Sequence, residues 1–256
     1  MDGSFAVDGL RLAAHLARPA EPLIDQPALV LCHGFPSGEL GASGAAHSFP
    51  ELANRIADEL QWTVLTFAFR GCGPSEGNFS LAGWLEDLQA AIVHLRVVAR
   101  VERVWLAGFG SGGAMGIAAG AADPRVPGVA ALAAPADYDD WASHPRRLLQ
   151  HAREIGAIRS PDFPPSLDAW SKEFRTLRPI NLVADLAPRP LLVMHGSEDE
   201  AVPHFDARAL SDAHRSAELR IIGGAGHQLR HDPRAIAVLL GWLDRQRQPA
   251  NDEEPS

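Results

Sequence analysis

The feature that most restricts the fold of this 256-residue chain is a repeated alternation. Short apolar runs, each bounded by proline or glycine, take turns with longer stretches of helical periodicity. "PALVLCHGF" (27–35), "WTVLTFAF" (62–69) and "RVWLAGF" (103–109) read as buried strands, and "VPGVAALAAP" (126–135), "PRPLLVMHG" (188–196) and "AELRIIGG" (217–224) as further strands. Between them, "FPELANRIADEL" places Leu52, Ile56 and Leu60 on one helical face. "LAGWLEDLQAAIVHLRVVA", a stretch from about Gly112, "HFDARALSDA" and "DPRAIAVLLGWLDRQ" also read as helices. Strands without a polar face must be covered on both sides, so the pattern implies a mostly parallel sheet of about eight strands with helices on both faces. The first two strands are a hairpin in "SFAVDGLRLAAHLARPA", turning at Asp8-Gly9.

The rhythm breaks between Asp139 and Asp185. This segment is rich in Pro, Arg and Trp and too long for a plain loop, so it is expected to form two or three short helices, a small lid over the carboxyl edge of the sheet. Residues 1–247 are expected to form one domain, and "QPANDEEPS" (248–256) a disordered acidic tail.

Composition excludes several functions. A formal charge of −9 argues against nucleic acid or an anionic membrane as partner. No apolar run approaches the ~18 residues of a membrane span, and the first residues lack the basic start and apolar core of a signal peptide. The cytoplasm is the expected compartment. Two cysteines, Cys32 and Cys72, make no disulfide framework, and no metal or other cofactor is expected.

In such a sheet, functional groups gather at the carboxyl ends of strands. Here those ends carry "HGF" (33–35), "GFGSGG" (108–113), "HGSEDEAVP" (195–203) and "GAGH" (224–227), with "FRGCGPSEG" (69–77) after an early strand. Over nearly its whole length the chain resembles the α/β-hydrolase superfamily, in its serine esterase and aminopeptidase-like branch. The order of glycine turn, acid and histidine matches that family. The resemblance implies that His227 is the catalytic histidine and that Asp199 is the acid orienting it. Asp137 is the alternative acid, and His231 is read as a surface residue. The backbone amides of Phe35 and Ser111 correspond to the oxyanion hole.

One part of the pattern is missing. The family motif is G-x-S-x-G, and aligning Gly108 as its first glycine puts Gly110 at the nucleophile. Making Ser111 the nucleophile instead would place Phe109 at the crowded base of the turn. A side-chained residue held in that turn is strained by about 1–3 kcal/mol, a conformation glycine adopts freely. Three functions remain open: slow or non-covalent hydrolysis or proton transfer on a small ester or carbonyl compound by an Asp199–His227 dyad; a non-catalytic pseudo-hydrolase binding a small apolar ligand or protein partner; and an esterase using Ser111. Under the 139–185 segment, Trp141, Phe163, Trp170 and Phe174 are the expected lining of a substrate pocket.

Overall fold

The computed structural model describes residues 2–21, 26–37 and 39–247; the segment expected to be a disordered tail lies outside them. Eight strands form one sheet: β1 (Gly3–Val7), β2 (Leu10–Ala17), β3 (Ala28–Cys32), β4 (Thr63–Phe67), β5 (Val104–Phe109), β6 (Val129–Leu132), β7 (Leu191–Gly196) and β8 (Glu218–Ile222). Their order across the sheet is β1-β2-β4-β3-β5-β6-β7-β8. The hairpin β1–β2 is antiparallel to its neighbour β4, and every pair from β4–β3 to β7–β8 is parallel. Val7 pairs with Leu10 across a two-residue turn in which Asp8 and Gly9 both take positive φ, the geometry that matches the twist of flanking strands.

The helices are α1 (Gly41–Gly44), α2 (Phe49–Leu60), α3 (Leu81–Ala99), α4 (Ser111–Ala122), α5 (Asp139–Ser143), α6 (Pro145–Glu154), α7 (Leu167–Thr176), α8 (Pro179–Leu182), α9 (His204–His214) and α10 (Pro233–Arg247). The pleat sends alternate strand residues to opposite faces. Leu29, Leu31, Val64, Ala107, Ala130 and Leu192 therefore pack with α2 and α10 on one side. Ala28, Val30, Leu65, Leu106, Ala131 and Val193 pack with α3, α4 and α9 on the other. Between β6 and β7 the chain forms four short helices, α5 to α8, and a 3-10 turn at Val183–Leu186, more pieces than the two or three expected. Proline at the first turn of α6 and α8, and the Ser166 side chain accepting from the Ala169 amide at α7, explain why this stretch divides so finely.

The junction from β5 into α4 is the tightest place in the sheet. A Cβ on Gly108 would collide with the backbone of Gly112 and Gly113, and a Cβ on Gly112 would collide with the His33 carbonyl. Only bare backbone lets α4 start directly against both β5 and the loop after β3. Gly108→Ala should therefore lose about 2–3 kcal/mol of stability through overpacking. Gly223→Ala, where the added Cβ meets nothing within 4 Å, should stay within about 0.5 kcal/mol of the parent. Urea unfolding of the two variants checks the contrast.

Candidate functional site

The carboxyl ends of β3 and β5 and the segment after β8 border one cleft, lined by Gly34, Phe35, Phe109, Gly110, His227 and Arg230 among others. Its side walls are strapped together by short loops. The Glu198 amide donates to the Ala225 carbonyl (2.9 Å), and the Gly224 amide to Ser197 Oγ (2.8 Å), so the turns after β7 and β8 hold each other in register.

Asp199 lies in the turn after β7 with its side chain wholly inaccessible to solvent. Oδ1 accepts from the amides of Ala201 and Val202, both at 2.9 Å. Oδ2 lies 2.8 Å from His227 Nδ1 and 2.9 Å from His195 Nε2. Burial is the largest single influence on this carboxyl and opposes ionisation. The hydrogen bonds from His195, His227 and the Val202 amide together outweigh it and hold the group far below the usual carboxylate range. An ionised Asp199 accepts from His227 Nδ1–H, which leaves Nε2 bare and turned toward the cleft. The His227 side chain is 26% exposed, enough to meet a ligand there.

His195 is the partner that the sequence reading did not assign. Nε2 also lies 3.0 Å from the Val202 carbonyl, so both of its neighbours are acceptors and the proton sits on Nε2. Nδ1 is buried with no partner. The four-residue spacing from His195 to Asp199 was the available signal; across a strand end and turn it does not by itself reveal a contact.

Gly110 begins α4 at φ 53° and ψ −128°. Its amide donates to the Leu132 carbonyl (2.7 Å), and its carbonyl accepts from the amides of Gly113 and Ala114. A Cβ built on Gly110 would lie 3.4 Å from His227 Nε2 and 3.6 Å from Gly34 Cα, ordinary contact distances. Ser111 is buried in the first turn of α4 with its hydroxyl near the buried Tyr138 phenol, and among the described residues Tyr138 Oη makes no regular hydrogen bond. Among the described residues, neither the Ser111 amide nor the Phe35 amide donates to a backbone or side-chain acceptor.

His33 fixes the loop that carries Phe35. Its Nδ1–H donates to the Gly34 carbonyl (2.7 Å), and Nε2 accepts from the Phe69 amide (3.1 Å). Phe49, Phe69 and Trp84 surround the ring edge-on.

The four aromatic residues expected to line the pocket sit elsewhere. Trp170 and Phe174 are buried against Phe79, with Trp170 Nε1 donating to the Phe79 carbonyl (3.2 Å). Trp141 packs at a tilt against Phe35, at 5.0 Å between ring centroids, and opens on a separate groove with Asp140, His144 and His151. Phe163 is half-buried against the same core. The physical reason is that Phe35 and Phe79 stand between this cluster and the cleft. Asp137 is engaged by Arg178 (3.2 Å) and the Asp139 amide, while Asp199 holds His227. His231 is exposed. Cys32 and Cys72 are buried free thiols whose ionisation burial suppresses. Among the described residues, no three His, Cys, Asp or Glu side chains are grouped to hold a metal ion, and no helix is long and apolar enough to cross a membrane.

With this geometry in place, comparison with known proteins is decisive for the family: residues 29–239 match the model of the alpha/beta hydrolase family. The chain belongs to that family. Est1E from Butyrivibrio proteoclasticus superposes with a TM-score of 0.71 at 20% identity, covering 95% of this chain and 96% of that one. The alpha/beta hydrolase GrgF from Penicillium sp. sh18 gives 0.73 at 22% identity, covering 96% and 98%. At these identities the likeness is one of fold. In sequence, the uncharacterized protein YfhR of Salmonella typhi is 28% identical over 168 residues, 62% of this chain and 52% of the relative. YfhR of Escherichia coli O157:H7 is 30% identical over 148 residues, 57% and 45% of the two chains. The chain thus spans about half the length of the curated relatives it matches.

The His33 ring yields a prediction about pH. Burial, opposed by the Gly34 carbonyl and reinforced by the Arg230 charge, lowers its pKa from 6.5 to about 4. The unfolded chain therefore takes up a proton between these values that the folded chain refuses, and stability falls as pH drops through that window. Between pH 7 and pH 5 this residue alone should remove about 2 kcal/mol. Urea unfolding of the parent and of His33→Asn checks it, the variant showing a shallower fall.

Proposed function

We propose that this alpha/beta hydrolase acts on a small ester or comparable carbonyl compound without a covalent intermediate, with the Asp199–His227 dyad activating water. The observation that carries this reading is the space facing His227 Nε2. Where the family pattern G-x-S-x-G has its serine, this chain has Gly110, whose Cβ position lies 3.4 Å from that nitrogen. The cleft there has a cavity volume for water-sized spheres of about 20 Å³, and one water needs roughly 10–15 Å³ on that measure.

In the proposed step, Nε2 takes a proton from this water as its oxygen bonds to the carbonyl carbon. The carbonyl π electrons move onto oxygen, and the resulting oxyanion is met by the free amides of Phe35 and Ser111. Collapse of the adduct breaks the bond to the alcohol oxygen, which recovers the proton from Nε2–H. Acid and alcohol leave, and the dyad is restored. Asp199, ionised and dry, stabilises the transient imidazolium. A proton abstraction next to a carbonyl would use the same base and the same amides. Ser111 is set aside as nucleophile because its hydroxyl lies near the Tyr138 phenol and, among the described residues, makes no hydrogen bond with His227. The helices of residues 139–185 are read as a cover over this edge of the sheet.

Short 4-nitrophenyl esters should turn over slowly and without a burst, and His227→Ala should lower that rate by about 10²–10⁴-fold. Binding of such esters with no turnover above buffer in the parent would instead mark a ligand-binding protein without chemistry.

The vacant position is testable by filling it. Gly110→Ser should acquire stoichiometric labelling by a fluorophosphonate, which the parent lacks, and should lose about 1–3 kcal/mol because serine is strained at φ 53°. Intact-mass spectrometry and urea unfolding read the two effects. A folded variant that stays unlabelled would overturn the alignment or the dyad.

A further inference from the structure

The cleft contains one charged side chain that the proposed step does not use. Arg230 follows His227 by three residues, in the 3-10 turn Leu229–His231, and lines the same cleft as Gly34, Phe35, Gly110 and His227. Its polar contact within the protein is a long one, 3.4 Å to Gln228 Oε1, and among the described residues no carboxylate pairs with it. Other arginines with little exposure each have a carboxylate or several carbonyls as partners, although Nη2 of Arg70 and of Arg96 makes no regular hydrogen bond. Arg70 pairs with Asp87 at 2.7 Å, and Arg96 with Asp123 at 2.8 Å. Arg189 donates to the carbonyls of Gly120, Asp123 and Val126, and Arg159 to those of Gly71, Gly73 and Ser75.

A guanidinium stays charged at any working pH, so this cleft carries a fixed cation inside a protein of formal charge −9. Partial burial without acceptors is unfavourable for such a group, and burial alone shifts its pKa downward. The charge reaches His33 under the floor of the cleft and His231 beside it, lowering the pKa of both. The planar fork of donors fits a carboxylate with two parallel hydrogen bonds.

We propose that Arg230 is the anion-binding part of this site, and that the substrate is an ester or carbonyl compound bearing a carboxylate a short chain away from the reacting carbon. The carbonyl would lie by Gly110 and the amides of Phe35 and Ser111, and the carboxylate on Arg230. This inference rests on the reading of the cleft given under Proposed function.

The test compares monomethyl glutarate, which is anionic, with methyl butyrate, which is neutral, by NMR titration of the isotopically labelled full chain. The Gly110 amide and the His227 imidazole report occupancy of the cleft. The parent should bind monomethyl glutarate about tenfold tighter or more. Added salt should shrink that preference, Arg230→Lys should keep part of it, and Arg230→Gln should abolish it. Should Arg230→Gln fail to fold, the salt dependence in the parent and the Arg230→Lys result decide. Equal affinities in the parent, or a preference that survives Arg230→Gln, would overturn the assignment to Arg230 while leaving the cleft reading intact. If neither ester moves the Gly110 and His227 signals, the cleft reading itself fails, and this inference with it.

Discussion

The contact on which the site depends is made by backbone alone. Gly108, at the end of β5, lies against Gly112 in the first turn of α4, and Gly112 lies against the His33 carbonyl after β3. Three chain segments meet there with no side chain between them. This closeness brings the start of α4 beside the loop that carries Phe35, so that Gly110 and Phe35 line one cleft. It also compels the intervening residue to turn at φ 53°, a backbone state that glycine adopts without strain. Gly110 thus keeps the turn without strain and without a side chain.

That separation of backbone from side chain explains how the frame persists with glycine at the bend. The turn is held by the Gly110 amide on the Leu132 carbonyl and by the Gly110 carbonyl on the amides of Gly113 and Ala114. None of these bonds involves a side-chain oxygen. The opposite wall is independent of it as well: Asp199 is fixed by two amides of its own turn and by two imidazoles, and His227 is fixed by Asp199. Replacing serine with glycine would therefore remove a reactive atom and relieve strain without disturbing either wall.

The fold was legible because strands such as "LVLC" and "LLVM" have no charged or strongly polar residues and can only be central, while Asp8-Gly9 announces its turn. The Asp199–His227 pair was legible because its members sit at adjacent strand ends in the order of the family, and the structure brings them to 2.8 Å. The pocket aromatics were not. Trp141, Trp170 and Phe174 belong to a segment where neither periodicity nor strand order fixes direction, so the sequence does not say what they pack against. Their partners, Phe35 and Phe79, come from distant loops. His195 and Arg230 were missed for a related reason. Each matters through what surrounds it, a second imidazole on a shared carboxylate in one case and a lack of carboxylates in the other, and neither environment is written in neighbouring residues.

Charge in the cleft is arranged across a short span. On one side, Asp199 is ionised and dry, with its lone pairs filled by donors, so its field acts chiefly through His227. On the other, Arg230 lines the cleft with a single long hydrogen bond to Gln228. His33, neutral because it is buried and because Arg230 lies near, adds no charge of its own and serves as a rigid strut between Gly34 and Phe69. A neutral strut is required there: an imidazolium in that place would turn Nε2 from acceptor to donor and break its bond from the Phe69 amide, loosening the loop on which the Phe35 amide depends. The acid sensitivity of the fold and the geometry of the proposed anion-stabilising amides therefore have a common origin in one buried ring.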